Sequence, residues 1–298
     1  MLTQQKQSYW IFLIPCAAVF IWSLNIAVTR YAADYISAVS ISFYRWLLAL
    51  IILTPFLLPK VQKIWPEIQP HLAKLFCLSA LGMVLYQGFA YSAAHYTTAT
   101  NMGLINAFIP IFTVLLGVFI LKIKPPVWVI FGALLSFLGL MIVMSQGEAH
   151  FLQQNTVQLR GDGLMILAVF FYAGYGVFLQ KWALGLPLMI SLYLQICFAV
   201  LLHLPFIAWL GLDVITRETA ASIIYAGVFP SIAAPLLWML AVQKMGSNKS
   251  SIFMNLMPVM SAVIAYFWLK EAWTMYHTVG GSIILLGVAI AQYAKSRS

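Results

Sequence analysis

The chain has 298 residues, of which 63% are hydrophobic and 8% charged, with a formal net charge of +9. A mean hydropathy of +0.95 excludes a soluble globular domain. The Lys and Arg residues are too dispersed for a nucleic-acid surface, and the 3 cysteines neither close a disulfide framework nor have zinc spacing.

Apolar runs of about twenty residues predict membrane-spanning helices. In chain order they are Trp10–Val28, Ile36–Leu58, Leu72–Ala93, Met102–Leu121, Val127–Ser145, Gly163–Ala183, Leu188–Leu210, Ala220–Val242, Ile252–Leu269 and Met275–Tyr293. The first is too long for a signal peptide and no small-residue cleavage site follows it. The longest connection, Gln146 to Asp162, is too short for a soluble domain. Of the 16 Lys and Arg, only Arg30, Arg160, Arg217 and Lys270 fall on the face opposite the termini. Arg45 is intramembrane, and the remainder share the face of the termini. This bias predicts a multi-pass protein of a bacterial-type inner membrane with both termini cytoplasmic.

Polar residues inside the runs are few. The first offers Trp22, Ser23 and Asn25. The second holds Arg45, about 13 Å in from Ile36 at the helical rise, where a charge costs at least about 3 kcal/mol on insertion scales. Such a charge faces the bundle interior, so the helices enclose something polar. Two roles are open to it: binding substrate, or locking its helix to backbone carbonyls or a neighbouring Asn. Next come Tyr86, Gln87 and Tyr91, the last two one helical turn apart, then Asn101 and Asn106. The second half adds Tyr172, Tyr175, Tyr193, Gln195, Trp238 and Asn255. The candidate substrate-binding set is Trp22, Asn25, Arg45, Tyr86, Gln87, Tyr91, Asn106, Tyr172, Tyr175, Gln195, Trp238 and Asn255. Each has a plainer alternative, since Tyr and Trp favour membrane interfaces and Asn and Gln bond neighbouring helices.

The acids Asp34, Glu67, Glu148, Asp162, Asp213, Glu218 and Glu271 are all placed in loops or at helix ends. Without a mid-depth carboxylate, proton exchange for a lipophilic cation lacks its usual carrier. His203 is the one other deep ionisable group, and a lone His reads first as a packing residue. No His/Glu metal motif, phosphate-cradling loop or acid pair is present, so no enzyme, cofactor or metal is expected.

The chain repeats itself with a shift of 148 residues. Pro110 matches Pro258, Leu121-Lys122 matches Leu269-Lys270, Gly132 matches Gly280, and Leu138-Gly139 matches Leu286-Gly287. A shift of 150 sets Arg45 opposite Gln195. Five helices per repeat is an odd number, so the second repeat enters the membrane inverted. That arrangement places a site near the midplane, between repeats that rock against each other. The expected fold is all-α integral membrane: ten transmembrane helices as a 5+5 inverted-topology repeat around a central cavity. Its units are residues 1–147 and 162–298, joined by a loop at 148–161. Matched prolines 110 and 258, and Pro230 and Pro235 in the eighth run, predict kinks.

Phe43-Tyr44-Arg45-Trp46-Leu47-Leu48-Ala49 and Ala107-Phe108-Ile109-Pro110-Ile111-Phe112, with Asn255-Leu256-Met257-Pro258-Val259-Met260 and Leu269-Lys270-Glu271, carry a family resemblance. Over nearly its full length the chain resembles the drug/metabolite transporter superfamily, in its ten-helix branch of two EamA-type repeats. The resemblance implies a solute carrier in which helices 1–4 and 6–9 line a cavity and helices 5 and 10 brace each half from outside. One departure is Ile123, where such repeats usually place a Glu matching Glu271. The expected activity is transport of small neutral, zwitterionic or anionic metabolites, amino acids foremost, by alternating access and in the export direction. A multidrug exporter and a non-transporting assembly subunit are the rival readings. The expected partners are a small-molecule substrate and the lipid bilayer, with no nucleic acid and the chain a monomer.

Overall fold

The computed structural model describes residues 10–122, 127–146, 156–245 and 253–295. Among them the regular structure is entirely helical. We number ten spans: α1 (Trp10–Ala32), α2 (Ala38–Lys63), α3 (Trp65–Ala94), α4 (Ala99–Ile120), α5 (Val127–Met144), α6 (Thr156–Trp182), α7 (Leu188–Leu210) and α8 (Arg217–Met245). A single 3-10 turn, Phe253–Leu256, leads into α9 (Met257–Trp268), and α10 is Met275–Lys295. The first eight are long and apolar enough to cross a membrane, and α9 and α10 contribute shorter apolar helices. Below, the face where α1 begins and α10 ends is the terminal face, and the opposite one is the distal face.

Helix pairing repeats itself about an internal pseudo-twofold. The contact of α3 with α6 is matched by that of α8 with α1, α4 with α6 by α9 with α1, and α2 with α8 by α7 with α3. Three pairs lie on the symmetry element itself, α2 with α7, α4 with α9 and α5 with α10. Backbone conformation follows the same shift of 148. Lys122 and Lys270 both adopt left-handed conformations after their helices, with φ of 55° and 57°. The Ser136 hydroxyl donates to the Ile284 carbonyl, its own repeat mate, at 3.0 Å.

The prolines act by removing an N–H from the helical ladder. Pro110 leaves the Asn106 carbonyl without its partner, and α4 is broken between Ala99–Asn106 and Ile109–Ile120. Pro258 stands at the equivalent start of α9. The kinks expected at Pro110 and Pro258 inside continuous helices are thus helix starts, each with its proline in the first turn, where a missing N–H costs nothing. Pro230 frees the Ala226 carbonyl, and the Ser231 hydroxyl takes it at 2.7 Å. The backbone there widens into a π segment, Phe229–Ala233, matched in α3 by Ala80–Leu85. Each π segment also offers a carbonyl to a tryptophan. Trp46 donates to Met83 at 3.2 Å, and Trp22 to Pro230 at 3.3 Å.

Helices α5 and α10 form the most extensive helix pair among the described residues. A Cβ on Gly139 would lie 2.6 Å from the Gly280 carbonyl oxygen. Packing this close uses the small residues seen in the sequence, as expected without a hydrophobic drive between helices in lipid. The expectation that these helices brace separate halves needs correction, because they bind chiefly each other and tie the two repeats together.

Candidate functional site

Arg45 sits two turns into α2, about 10 Å below its distal end by helical rise, and is 1% exposed. Its Nε and Nη2 donate to Ser231 Oγ on α8 at 3.1 and 2.8 Å. Its Nη1 donates to Gln87 Oε1 and the Tyr91 hydroxyl on α3, at 3.1 and 3.0 Å. The guanidinium also lies over the Trp46 ring at 4.7 Å. Among the described residues it has no carboxylate partner. Hydroxyl and amide dipoles and the faces of Trp46 and Tyr91 therefore carry the positive charge, which bridges α2 and α3 of the first repeat to α8 of the second.

Below it, an aromatic stripe runs along the seam between repeats. Tyr86 of α3 donates to Asn106 Oδ1 at 3.3 Å and packs on Tyr172 of α6 with ring centroids 4.7 Å apart. Tyr172 packs in turn on Tyr175, 5.6 Å away, and the Gln195 amide of α7 lies beside the Tyr175 hydroxyl. Gly82, in the π segment of α3, backs the Tyr175 ring so closely that a Cβ would meet it at 2.8 Å. Across the seam, Trp22 and Trp238 pack at 5.7 Å. Trp22, Tyr86, Gln87, Tyr172, Tyr175 and Trp238 all retain partial exposure. Two amide oxygens have no hydrogen-bond partner among the described residues, Asn25 Oδ1 and Gln195 Oε1. Of the two, Gln195 Oε1 stands at the end of the stripe, where an acceptor can serve a polar ligand once the seam opens.

Set against known proteins, the EamA-like transporter family model matches residues 8–145 and again 159–293. The chain belongs to the EamA-like transporter family. An uncharacterized transporter of Archaeoglobus fulgidus is 26% identical over 279 residues, covering 93% of this chain and 95% of its own. The uncharacterized transporter YyaM of Bacillus subtilis is 23% identical over 268 residues, covering 89% and 87%. A solved structure superposes with a TM-score of 0.66 at 16% identity, covering 96% of this chain and 98% of its own, a likeness of fold alone.

For this EamA transporter, the sequence-predicted candidates divide into groups. The structure brings Arg45, Gln87 and Tyr91 together as one hydrogen-bonded cluster. Tyr86, Asn106, Tyr172, Tyr175 and Gln195 form the stripe. Trp22 and Trp238 pair, and Asn25 lies one turn from Trp22 in α1. The Asn255 side chain lies outside the described residues, as do Glu148 and Ile123. Tyr193 faces Thr54 of α2 at 3.1 Å, away from the stripe. His203 donates from Nδ1 to the Ala199 carbonyl at 2.7 Å and accepts from the Ser42 hydroxyl at 3.0 Å. Both ring nitrogens are spent on packing.

The placement of all acids in loops or at helix ends needs correction at Asp162. Helix α6 begins at Thr156, so Asp162 lies nearly two turns inside it, with no exposed surface. It accepts from Thr97 Oγ1 at 2.5 Å and from Asn101 Nδ2 on both carboxylate oxygens at 3.2 Å. The run Arg160-Gly161-Asp162-Gly163 carries the marks of a loop, but Gly161 is where α6 touches the Tyr96–Thr97 backbone, too close for any side chain. Glu271 accepts from the N–H groups of Ala99 and Thr100, at 2.7 and 3.0 Å, and from the Thr100 hydroxyl. A carboxylate from the second repeat thus closes the positive end of α4 in the first. At the start of α2, the Asp213 carboxylate accepts from the Ser37 N–H at 2.7 Å, and its carbonyl accepts from Tyr44 at 2.8 Å. The Ser37 hydroxyl and N–H together hold the Asp213 carboxyl below the usual carboxylate range. All three acids join the repeats at the distal face.

Proposed function

We propose that this transporter moves small metabolites across a bacterial inner membrane by alternating access, with its termini cytoplasmic, and that amino acids and related neutral, zwitterionic or anionic solutes are its exported substrates. The observation that carries this reading is the seam stripe from Asn106 through Tyr86, Tyr172 and Tyr175 to Gln195. It pairs aromatic faces, which take up apolar portions of a solute, with the Gln195 amide oxygen, which has no hydrogen-bond partner among the described residues. Its residues come from both repeats, so rocking one against the other changes which face reaches them. The export direction is part of this proposal and rests on the resemblance alone, since the relatives matched are uncharacterized transporters. Arg45 frames the site by holding Gln87 and Tyr91 in place, and its unneutralised charge disfavours cations. Asp162 does not reverse this, since it lies less than two turns into α6 and short of the mid-depth where a lipophilic cation would need a carboxylate.

A thermal-shift screen of the purified protein against amino acids, other metabolites and lipophilic cations tests the substrate class. Selective stabilisation by an amino acid supports the reading, because a ligand that binds only the folded state raises the unfolding temperature. Stabilisation by lipophilic cations alone would replace it with drug export. Reporter fusions after Lys124, Trp182 and Ser298 should report cytoplasm, and those after Gly147 and Arg217 the outer side. A cytoplasmic Gly147 would reverse the orientation.

A further inference from the structure

Asp162 belongs to a directed chain of hydrogen bonds separate from the seam stripe. Tyr172 follows it on the same helix ten residues on, about 15 Å by helical rise. The chain starts at the backbone N–H of Thr274, which donates to His277 Nδ1 at 3.2 Å. Because Nδ1 accepts, the ring proton sits on Nε2, which donates to Asn101 Oδ1 at 3.3 Å. That fixes the Asn101 amide, so its Nδ2 points at both oxygens of Asp162. Every bond in the sequence runs towards the carboxylate. His277 and Asp162 are 3% and 0% exposed.

Asp162 has no cation within ion-pair distance among the described residues. Arg160, two residues earlier, is exposed and lies over the Tyr96 ring at 4.6 Å. Glu271 is committed to the start of α4, His277 is held neutral by Thr274, and His95 is exposed. An enclosed carboxylate held only by neutral donors bears the desolvation cost of its charge without an opposite charge to offset it. Its surroundings also satisfy the neutral acid. When a proton settles on a carboxylate oxygen, the new O–H can donate to Thr97 Oγ1, whose hydroxyl turns from donor to acceptor. The amide hydrogens of Asn101 occupy the space between the two oxygens, where a metal cation would need a lone pair. The site suits a proton, not sodium.

We propose that Asp162 is a proton-binding site whose occupancy governs the distal closure between the repeats. Thr97 and Asn101 come from the first repeat, and Asp162, Thr274 and His277 from the second. Ionised, the carboxylate draws the start of α4 onto α6 through charge-assisted bonds. Protonated, it keeps only neutral ones, and the joint loosens. This links distal opening to the proton concentration. The consequence for coupled transport rests on the function proposed above, whereas the proton site itself does not.

The test uses the full-length protein in lipid and requires no transport. Infrared difference spectra from alkaline to mildly acid pH should show a buried carboxylic-acid C=O band that is absent in Asp162→Asn. Hydrogen exchange at neutral pH should be about tenfold faster over residues 97–106 in Asp162→Asn, which mimics the protonated acid and loses charge-assisted bonds. The parent protein at acid pH, corrected for intrinsic rates, should approach that variant. In Thr97→Val the carboxyl remains but the ionised form loses a donor, so the midpoint of the band should move to higher pH. Absence of an Asp162-dependent band, or an unmoved midpoint in Thr97→Val, overturns the site. A band with unchanged exchange overturns its control of the closure. Sodium-dependent protection at constant pH would also overturn the assignment of the ligand.

Discussion

Arg45 donates twice to the single hydroxyl oxygen of Ser231, at 3.1 and 2.8 Å, and Ser231 can accept both because its own hydrogen is spent on the Ala226 carbonyl. Pro230 sets up the arrangement by freeing that carbonyl. The joint therefore rests on one oxygen. Ser231→Ala leaves a buried guanidinium short of acceptors, which costs about 1.5–3 kcal/mol. Arg45→Gln removes the charge along with its needs and should cost less than Ser231→Ala. The double variant should be more stable than Ser231→Ala alone. Unfolding temperatures of all four proteins in one detergent check this ordering. If Arg45→Gln is the least stable of the set, the stacking of the guanidinium over Trp46 and the bonds to α3 outweigh the cost of burying the charge.

Glu271 closes α4 from a loop of the other repeat. Replacing it with Gln keeps an acceptor but removes the charge that complements the helix start, a loss of about 0.5–2 kcal/mol. The exchange-protected amides of Ala99–Asn106 should open faster, while those of α7 stay unchanged. Equal acceleration in both helices would mean that Glu271 supports the whole bundle and not the start of α4.

The halves of the chain disclose their symmetry in sequence because backbone constraints leave fixed residues behind. Pro110 and Pro258 mark helix starts, and the glycines of α5 and α10 mark a close crossing. The lysines at 122 and 270 matched as letters, and their shared left-handed backbone emerged only in three dimensions. The cluster of Arg45, Gln87 and Tyr91 was legible as residues on interior faces. Ser231 was not, since a hydroxyl between prolines looks like packing until the π segment turns it towards α2. Asp162 was misplaced because flanking glycines ordinarily signal a turn. Here Gly161 is required by the touching backbone of Thr97, a tertiary contact that no local pattern encodes. The π segments themselves leave no composition signal, apart from Pro230 in α8.

Gly139 and Gly280 meet backbone to backbone. Gly139→Ala puts a Cβ 2.6 Å from the Gly280 carbonyl oxygen, so α5 and α10 must separate along their length. Overpacking of this kind costs about 1–3 kcal/mol. Gly88→Ala is the control, since nothing lies within 4 Å of its Cβ position. A lowered unfolding temperature for Gly139→Ala alone is expected, and equal loss in both would point to helix chemistry in place of the crossing.

Asp213 gives the distal face a pH dependence of known sign. Its folded pKa lies below the ordinary value because Ser37 donates to the ionised form. The stabilisation is complete above the unfolded pKa of about 3.9 and disappears as pH falls through the folded value. Asp213→Asn should therefore lower the unfolding temperature at neutral pH, and the gap to the parent should close in strong acid. A gap that widens towards acid pH would contradict the hydrogen-bond pattern at Ser37.

Gln195 separates stability from binding. Its Oε1 is buried without a partner among the described residues, while Nε2 donates to Ser191 Oγ at 3.1 Å. An unsatisfied buried acceptor carries a penalty of about 1–3 kcal/mol, and the amide bond to Ser191 returns about 0.5–1.5 kcal/mol. Gln195→Met fills nearly the same volume with no polar atom to satisfy, so the unfolding temperature should hold steady or rise. If the amide end serves a substrate, the same change removes a ligand hydrogen bond, and the shift produced by a binding metabolite should shrink with at least about a fivefold loss of affinity. Gaining stability while losing affinity is the behaviour of a group kept for its ligand. Lost stability with affinity unchanged would instead make Gln195 a packing residue, and the seam stripe would end at Tyr175.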